Sequence, residues 1–225
     1  MTSGNEATTK RWYDDACGTA LALEIVGERW ALLIIRELMF GPRRFGEIKA
    51  NLPGISANVL TQRLDGLEKT GVVLRRKLPS PANVQVYDLT DWGRSAEVMI
   101  RELGFWAARS PRHDPFAFMS IASAMISLRT LIDPARAAET AMTVGFRFPD
   151  DGFLARLAAG ELAVERADPG AAEVVFTGDT MALRRTIYGN EGVDGDGLLA
   201  VRGDPAAAQA FIDLFALPQK VEGCG

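Results

Sequence analysis

Between Ser56 and Gly71, Leu60, Leu64 and Leu67 recur at i, i+4 and i+7, and two short strand-like runs follow at once. No other stretch constrains the fold of this chain as much. The three leucines form one apolar stripe on a helix. Ser56 can cap its start, because its hydroxyl accepts from the free N–H groups of the first turn. Gly71 stands where the residue just past a helix end belongs. Residues 72–78 then read as a strand, 79–83 as a turn, and 84–89 as a second strand in which Val84 and Val86 face away from Tyr87.

Upstream, Leu21, Ile25, Trp30, Leu33, Ile34 and Leu38 fall at helical spacing and predict helices over 18–26 and 29–40, stopped by Gly41-Pro42. Phe45, Ile48 and Leu52 predict a short amphipathic helix over 44–52, ended by Pro53-Gly54. Downstream, Thr90 caps a long helix over 91–109 that carries Val98, Met99, Leu103, Phe105 and Trp106. Helix, helix, helix, hairpin, helix is the order of a winged helix-turn-helix.

The helix after Ser56 has a second face. At about 100° per residue, Asn58, Gln62, Asp65 and Lys69 lie opposite the leucines and Thr61 sits on the flank. Asn and Gln can bridge an adenine edge, and Thr can touch a thymine methyl or a phosphate. The helix start, at Ser56, also offers free N–H groups to a phosphate. Arg43 and Arg44 would bind phosphate from the preceding helix, with Arg63 beside them. Arg75, Arg76, Lys77 and Asn83 would lie on or near the wing. Each feature alone has a plainer meaning: a polar face is ordinarily a solvated one, and cations on an edge strand guard it against aggregation. Their fixed order, together with the hairpin, favours duplex DNA as the partner.

Charge supports a local anionic partner. Residues 1–113 carry a net charge of +3 and residues 114–225 a net charge of −7. Within 36–77 nine cations face four acids. A basic patch can bind nucleic acid even in a chain whose pI is about 5.2. The switch of sign coincides with the two prolines in 110–115, which break any helix. The boundary is therefore expected there, with domains over 1–112 and 113–225.

Other function classes are excluded on composition. Two cysteines and the single His113 make neither a zinc site nor a disulfide framework, and no acid/base pair or cofactor loop stands out, so neither an enzyme nor a cofactor is expected. No apolar run reaches the roughly 18 residues of a membrane span, and residues 1–18 lack the apolar core of a signal peptide. A cytoplasmic protein with no membrane partner is expected.

Several pieces of the first half are similar to the HxlR-type family of bacterial winged-helix transcription regulators. They are Gly27-x-Arg29-Trp30, Gly41-Pro42-Arg43-Arg44-Phe45, Leu52-Pro53-Gly54-Ile55-Ser56, Leu60-Thr61-Gln62-Arg63-Leu64, and Tyr87-x-Leu89-Thr90 before Gly93. The resemblance spans about residues 15–110. It implies a homodimer with one recognition helix per half-site, joined through the first helix and the helix after the wing. Met99, Leu103, Phe105 and Trp106 fit that role, or simply pack under the second domain. The family commonly carries a cysteine before the first helix, which in some relatives senses oxidants, and Cys17 stands there. Gly18 replaces the usual proline, and Asp14 and Asp15 should disfavour a thiolate, with Lys10 and Arg11 as the only nearby cations. Cys17 is thus either a redox sensor or a buried structural residue.

The second half reads as an α+β domain with a mainly antiparallel sheet. It has an apolar helix over 116–132, strands over 143–148, 152–157, 161–166 and 173–177, a helix over 180–189, a strand over 198–202 and a last helix over 206–217 opened by Pro205. Residues 167–189 and 197–217 carry a resemblance, covering about residues 116–218, to the sterol-carrier-protein type 2 fold, in which such elements surround an apolar tunnel. That resemblance makes Phe118, Met125, Phe146, Phe148, Phe176, Met181, Leu183, Ile187, Phe211 and Phe215 candidates to line a site for a hydrophobic small-molecule effector. Each could equally be core, because periodicity does not separate lining from packing. Asp194-Gly195-Asp196-Gly197 is a turn and not a calcium loop, since Pro205 falls where the bidentate Glu belongs.

The sequence therefore points to a dimeric DNA-binding transcription regulator, a repressor in the simplest case, controlled by a hydrophobic effector. Its rival is a lipid or small-molecule carrier whose winged helix serves dimerisation or protein interaction.

Overall fold

The computed structural model describes residues 13–222. The first half opens with α1 (Gly18–Val26), α2 (Ala31–Leu38), α3 (Phe45–Ala50) and α4 (Ala57–Lys69). Ile34, Ile35, Leu38, Ile48, Leu60 and Leu64 are wholly buried together, so the predicted stripes of three helices form one core. The Ser56 hydroxyl accepts from the Val59 N–H at 3.2 Å. At the far end Gly71 adopts φ +76° and the Val72 N–H donates to the Leu67 carbonyl, which closes α4 as the sequence predicts.

The hairpin pairs β1 (Val73–Lys77) with β2 (Gln85–Leu89), antiparallel, with Val73 opposite Leu89 and Lys77 opposite Gln85. Val86 and Tyr87 are both buried, because the Tyr87 face is covered by Arg43, whose backbone bridges Tyr87. The single helix expected over 91–109 is two: α5 (Asp91–Ser95) and α6 (Glu97–Ala108), stepped at Ala96. Gly93 explains the packing of α5. Its Cα lies so near the Val72 carbonyl that a Cβ would collide with that oxygen.

The second half begins with α7 (Ile121–Leu131) and not at residue 116. Ser120 caps α7, accepting from Ser123 N–H, while the buried Arg184 guanidinium donates to the carbonyls of Pro115 and Ala117 and holds the turn that precedes the helix. A short α8 (Pro134–Ala137), capped by Asp133, follows. The strands are β3 (Met142–Arg147), β4 (Gly152–Ala158), β5 (Glu161–Arg166), β6 (Val174–Thr177) and β7 (Ala200–Arg202), with α9 (Thr180–Ile187) between β6 and β7 and α10 (Pro205–Ile212) after them.

The sheet order is β5-β4-β3-β6-β7. Three pairings are antiparallel, but β3 and β6 are parallel, so the sheet is mixed. Sequence alternation cannot show this, because it records which face is buried and not strand direction. The last helix is shorter than expected, for Phe215 turns back to bridge Ile132 and the Leu214 carbonyl accepts from Asp133 N–H. The core of this half is centred on Phe146, Phe153, Phe176 and Phe211. Among the described residues no helix is long and apolar enough to cross a membrane.

The halves touch through named contacts. Phe40, after α2, meets Phe153 of β4 edge-on at 5.4 Å. Arg129 of α7 pairs with Glu97 of α6 at 2.5 Å, and Arg101 donates to the Arg129 carbonyl. Glu37 of α2 is buried, and its Oε1 accepts from Arg36 and from Ser120 Oγ at 2.7 Å.

Candidate nucleic-acid interface

α4 carries its apolar stripe inward, and the residues that cannot be buried cheaply are left outside. Asn58, Thr61 and Gln62 are all exposed, and no other described residue buries them. Thr61 Oγ1 donates back to the Ala57 carbonyl at 3.0 Å, leaving its methyl and oxygen lone pairs available. Ser56 is exposed at the N-cap, so the first turn presents its N–H groups to solvent on the same side.

The expected cations divide into two sets. Arg44 is exposed at the start of α3, and Lys77 at the end of β1; with Lys49 and Lys69 they make no ion pair among the described residues. Arg63 is tied to Glu28 at 2.8 Å and to the Arg29 carbonyl. Arg75 bridges Asp65 and Glu68 and lies 5.2 Å from the centre of the Tyr87 ring. Arg76 and Arg94 share Asp88. These partners hold the arginines at fixed positions yet leave Arg75 and Arg76 exposed. Asn83 sits exposed in the wing turn at φ +45°, a conformation asparagine tolerates.

Arg43 departs from its expected place. It is 8% exposed, and Nη2 donates to Asp151 Oδ2 at 2.7 Å across 108 residues of sequence. Arg166 approaches the other oxygen of Asp151 at 3.3 Å. The guanidinium that the sequence assigns to phosphate is thus spent on the β3–β4 turn. The sequence offered no signal for this, since nothing local marks Asp151 as a partner.

The ten residues expected around an effector lie mainly in the second core. Met125, Phe146, Phe148, Phe176, Leu183, Ile187, Phe211 and Phe215 are buried, whereas Phe118 and Met181 are exposed. Phe211 packs on Phe146, Phe176 and Phe215 with ring centres 5.0–6.0 Å apart, so the aromatic rings fill the space between themselves.

Cys17 is exposed at the N-cap of α1. Hydrogen bonds from the backbone and side chain of Thr19, and then from Ala20, hold its thiol below the ordinary range. These first-turn groups outweigh the expected effect of Asp14 and Asp15, and Asp15 itself accepts from the Cys17 N–H at 2.8 Å. Lys10 and Arg11 lie outside the described residues. No group of three or more metal-ligating side chains comes together among the described residues.

Glu37 was not expected to matter. Burial raises its carboxyl above the ordinary range, against the opposing pull of Arg36 and Ser120, and its Oε2 has no partner among the described residues. The native state therefore holds this proton more tightly than the unfolded chain does. Its contribution is fully present below the unfolded pKa and is lost as pH rises through the raised folded one. Glu37→Gln keeps the Oε1 acceptor and removes the titration. Urea midpoints measured from mildly acid to neutral pH should fall with pH in the wild type and stay flatter in the variant.

Residues 25–114 match the family model described as HxlR-like helix-turn-helix. The uncharacterized HTH-type transcriptional regulator YvaP of Bacillus subtilis (strain 168) is 41% identical over 87 residues, which is 38% of this chain and 80% of that protein. The HTH-type transcriptional regulator YodB of the same organism is 40% identical over 86 residues, 38% of this chain and 77% of YodB. The solved reduced form of YodB covers 44% of this chain and all of its own, with 35% identity and a TM-score of 0.40. Through residues 25–114, with an α+β half following, the chain belongs to the HxlR-like helix-turn-helix family of transcription regulators, which are DNA-binding proteins and not enzymes.

Proposed function

We propose that this protein is a dimeric operator-binding regulator in which α4 enters the major groove. The exposed set Asn58, Thr61 and Gln62 on one side of a helix whose other side is core carries this reading. Arg44 at the start of α3 and Lys77 on the wing grip phosphates on either flank, with Ser56 and the α4 amides between them. Arg75, Arg76 and Asn83 follow the adjacent backbone, and Arg63 braces α4 against the segment before α2. Arg43 joins the halves and is left out of the grip. Val98 and Trp106 on α6, 67% and 73% exposed, and Leu21 on α1, 54% exposed, supply the apolar face for a second copy. Residues 1–112 act as the DNA-binding and dimerisation unit. Residues 113–225 act as a sterol-carrier-like regulatory unit, a likeness supported by α9, the glycine-rich link after it, β7 ending at Gly203-Asp204, and α10, in that order. Repression follows where the operator overlaps a promoter.

The test is binding to duplex DNA across a range of salt. Affinity should fall steeply with salt. Arg44→Ala should weaken all sequences alike and reduce the salt slope by about one, whereas Gln62→Ala should relax selectivity at one position by about 1–3 kcal/mol. Arg43→Ala should leave the salt slope unchanged. Wild-type selectivity and salt slope in both the Arg44 and Gln62 variants would overturn the reading.

A further inference from the structure

The aromatic core of the second half is packed, yet an apolar cavity of about 310 Å³ lies elsewhere, between α2, α6 and α7. Leu32 and Leu33 of α2 and Ile100 and Leu103 of α6 form one wall; Met119 and Ile126 form the opposite one. Its size is at the low end of small-molecule sites, which run from about 300 to 1,000 Å³. None of the ten residues expected from the sequence lines it.

The polar groups in this cavity are few. Ser127 Oγ and Tyr188 Oη share a single hydrogen bond of 2.5 Å. Two hydroxyls in one bond leave one O–H free to donate. Burial raises the Tyr188 phenol far above its ordinary range, so it keeps its proton. Among the described residues Arg36 is the one formal charge in the wall and no carboxylate lines it, although Arg36 Nε and Nη2 already donate to Glu37 Oε1 behind the wall. His113 also lines it; burial and the nearby Lys220 lower its pKa, which keeps the ring neutral near pH 7. An apolar space with a hydroxyl donor and a guanidinium, and no acid, repels cations and accepts an anionic or carbonyl head.

We propose that the junction cavity binds a small apolar carboxylic acid, with its chain among the leucines of α2 and α6 and its carboxylate toward Arg36 and the Ser127–Tyr188 pair. Its regulatory consequence rests on the operator-binding reading above. The wall residues Leu32, Leu33 and Arg36 stand on the helix whose Ile34, Ile35 and Leu38 pack in one core with Leu60 and Leu64 of α4. A ligand wedged against α7 therefore acts on α2, and α2 supports α4. It regulates DNA binding only through unequal affinity for the two arrangements of α2 against α7.

Decanoate serves as the probe, with decylamine as its cationic counterpart, titrated into the full chain by calorimetry. Decanoate should bind at least tenfold more tightly than decylamine. Ser123→Trp, which projects an indole into the cavity from α7, should abolish the heat of decanoate binding. Tyr188→Phe should weaken decanoate by about two- to tenfold, as expected for one hydrogen bond. Circular dichroism checks that both variants fold; should Ser123→Trp not fold, the Tyr188→Phe comparison and the decanoate-to-decylamine ratio decide. Equal affinity for the two probes, or undiminished binding in both folded variants, would overturn the proposal. So would absence of decanoate binding in a chain that sedimentation shows to be self-associated, because a second copy would then occupy the cavity. DNA affinity measured without decanoate separates the two readings. If it is absent while decanoate binds, the operator reading fails and the cavity stands; if it is present and decanoate does not bind, the cavity fails alone.

Discussion

Phe211→Ala should destabilise the protein by about 3–5 kcal/mol, the usual cost of deleting a buried aromatic ring. Phe211 is fully buried on α10 and touches three other phenylalanine rings, of which Phe146 and Phe176 belong to the parallel pair β3 and β6. Removing it leaves a void at the meeting point of helix and sheet, and neighbours fixed in strands relax little to fill it. The experiment is equilibrium urea unfolding of the full chain, read by fluorescence and by circular dichroism. The same measurement bears on ligand binding. Were Phe211 the wall of an open tunnel, its ring would have fewer partners and truncation would cost under about 2 kcal/mol, short of the buried-ring range. A large loss identifies it as packing and leaves the junction cavity as the place for an effector.

Asp151→Ala should cost about 3–5 kcal/mol, because it strips the counter-ion from the buried Arg43 and the half-buried Arg166 and leaves both unpaired. Asp151 and Arg43 have side chains only 11% and 10% exposed, and Arg166 leans on the same carboxylate. Without Asp151 two guanidiniums face each other; Arg43 already lowers the pKa of Arg166, second only to burial. Among the described residues Arg43 Nε and Arg166 Nη2 also lack hydrogen-bond partners, so none of these offers a spare acceptor. Arg43→Ala should be milder, since Asp151 keeps Arg166. Chemical unfolding of the three chains checks the order. A loss below about 1 kcal/mol for Asp151→Ala would mean the pair behaves as a solvated surface bridge.

The winged helix was legible because its signals are local. A capped leucine stripe, a glycine at the helix end and an alternating hairpin each specify their own conformation, and α1, α4, β1 and β2 fall within a residue or so of the expected limits. The exposed Asn58, Thr61 and Gln62 were legible for the same reason, since a helical wheel fixes which residues cannot face the core. What was not legible depends on contacts distant in sequence. The break at Ala96 reflects Gly93 pressed on Val72, and the late start of α7 reflects Arg184 holding the carbonyls before it. The parallel pairing of β3 with β6, the burial of Arg43 against Asp151 and the buried Glu37 all join segments far apart along the chain. The junction cavity escaped for a further reason. Its walls come from both halves, whereas the sequence placed the effector wholly within the second. Aromatic residues in a run look alike whether they line a space or fill it, and here they fill it.

A regulator that selects its operator as proposed must read base sequence with one face of α4. Selection of bound duplexes from a random library, by the wild type and by a chain carrying Asn58→Ala, Thr61→Ala and Gln62→Ala together, tests it most directly. The wild type should enrich a motif with two related half-sites, and the triple variant should lose preference at positions inside each half-site while still retaining DNA at low salt. Enrichment of the same motif to the same degree by both chains would contradict the account.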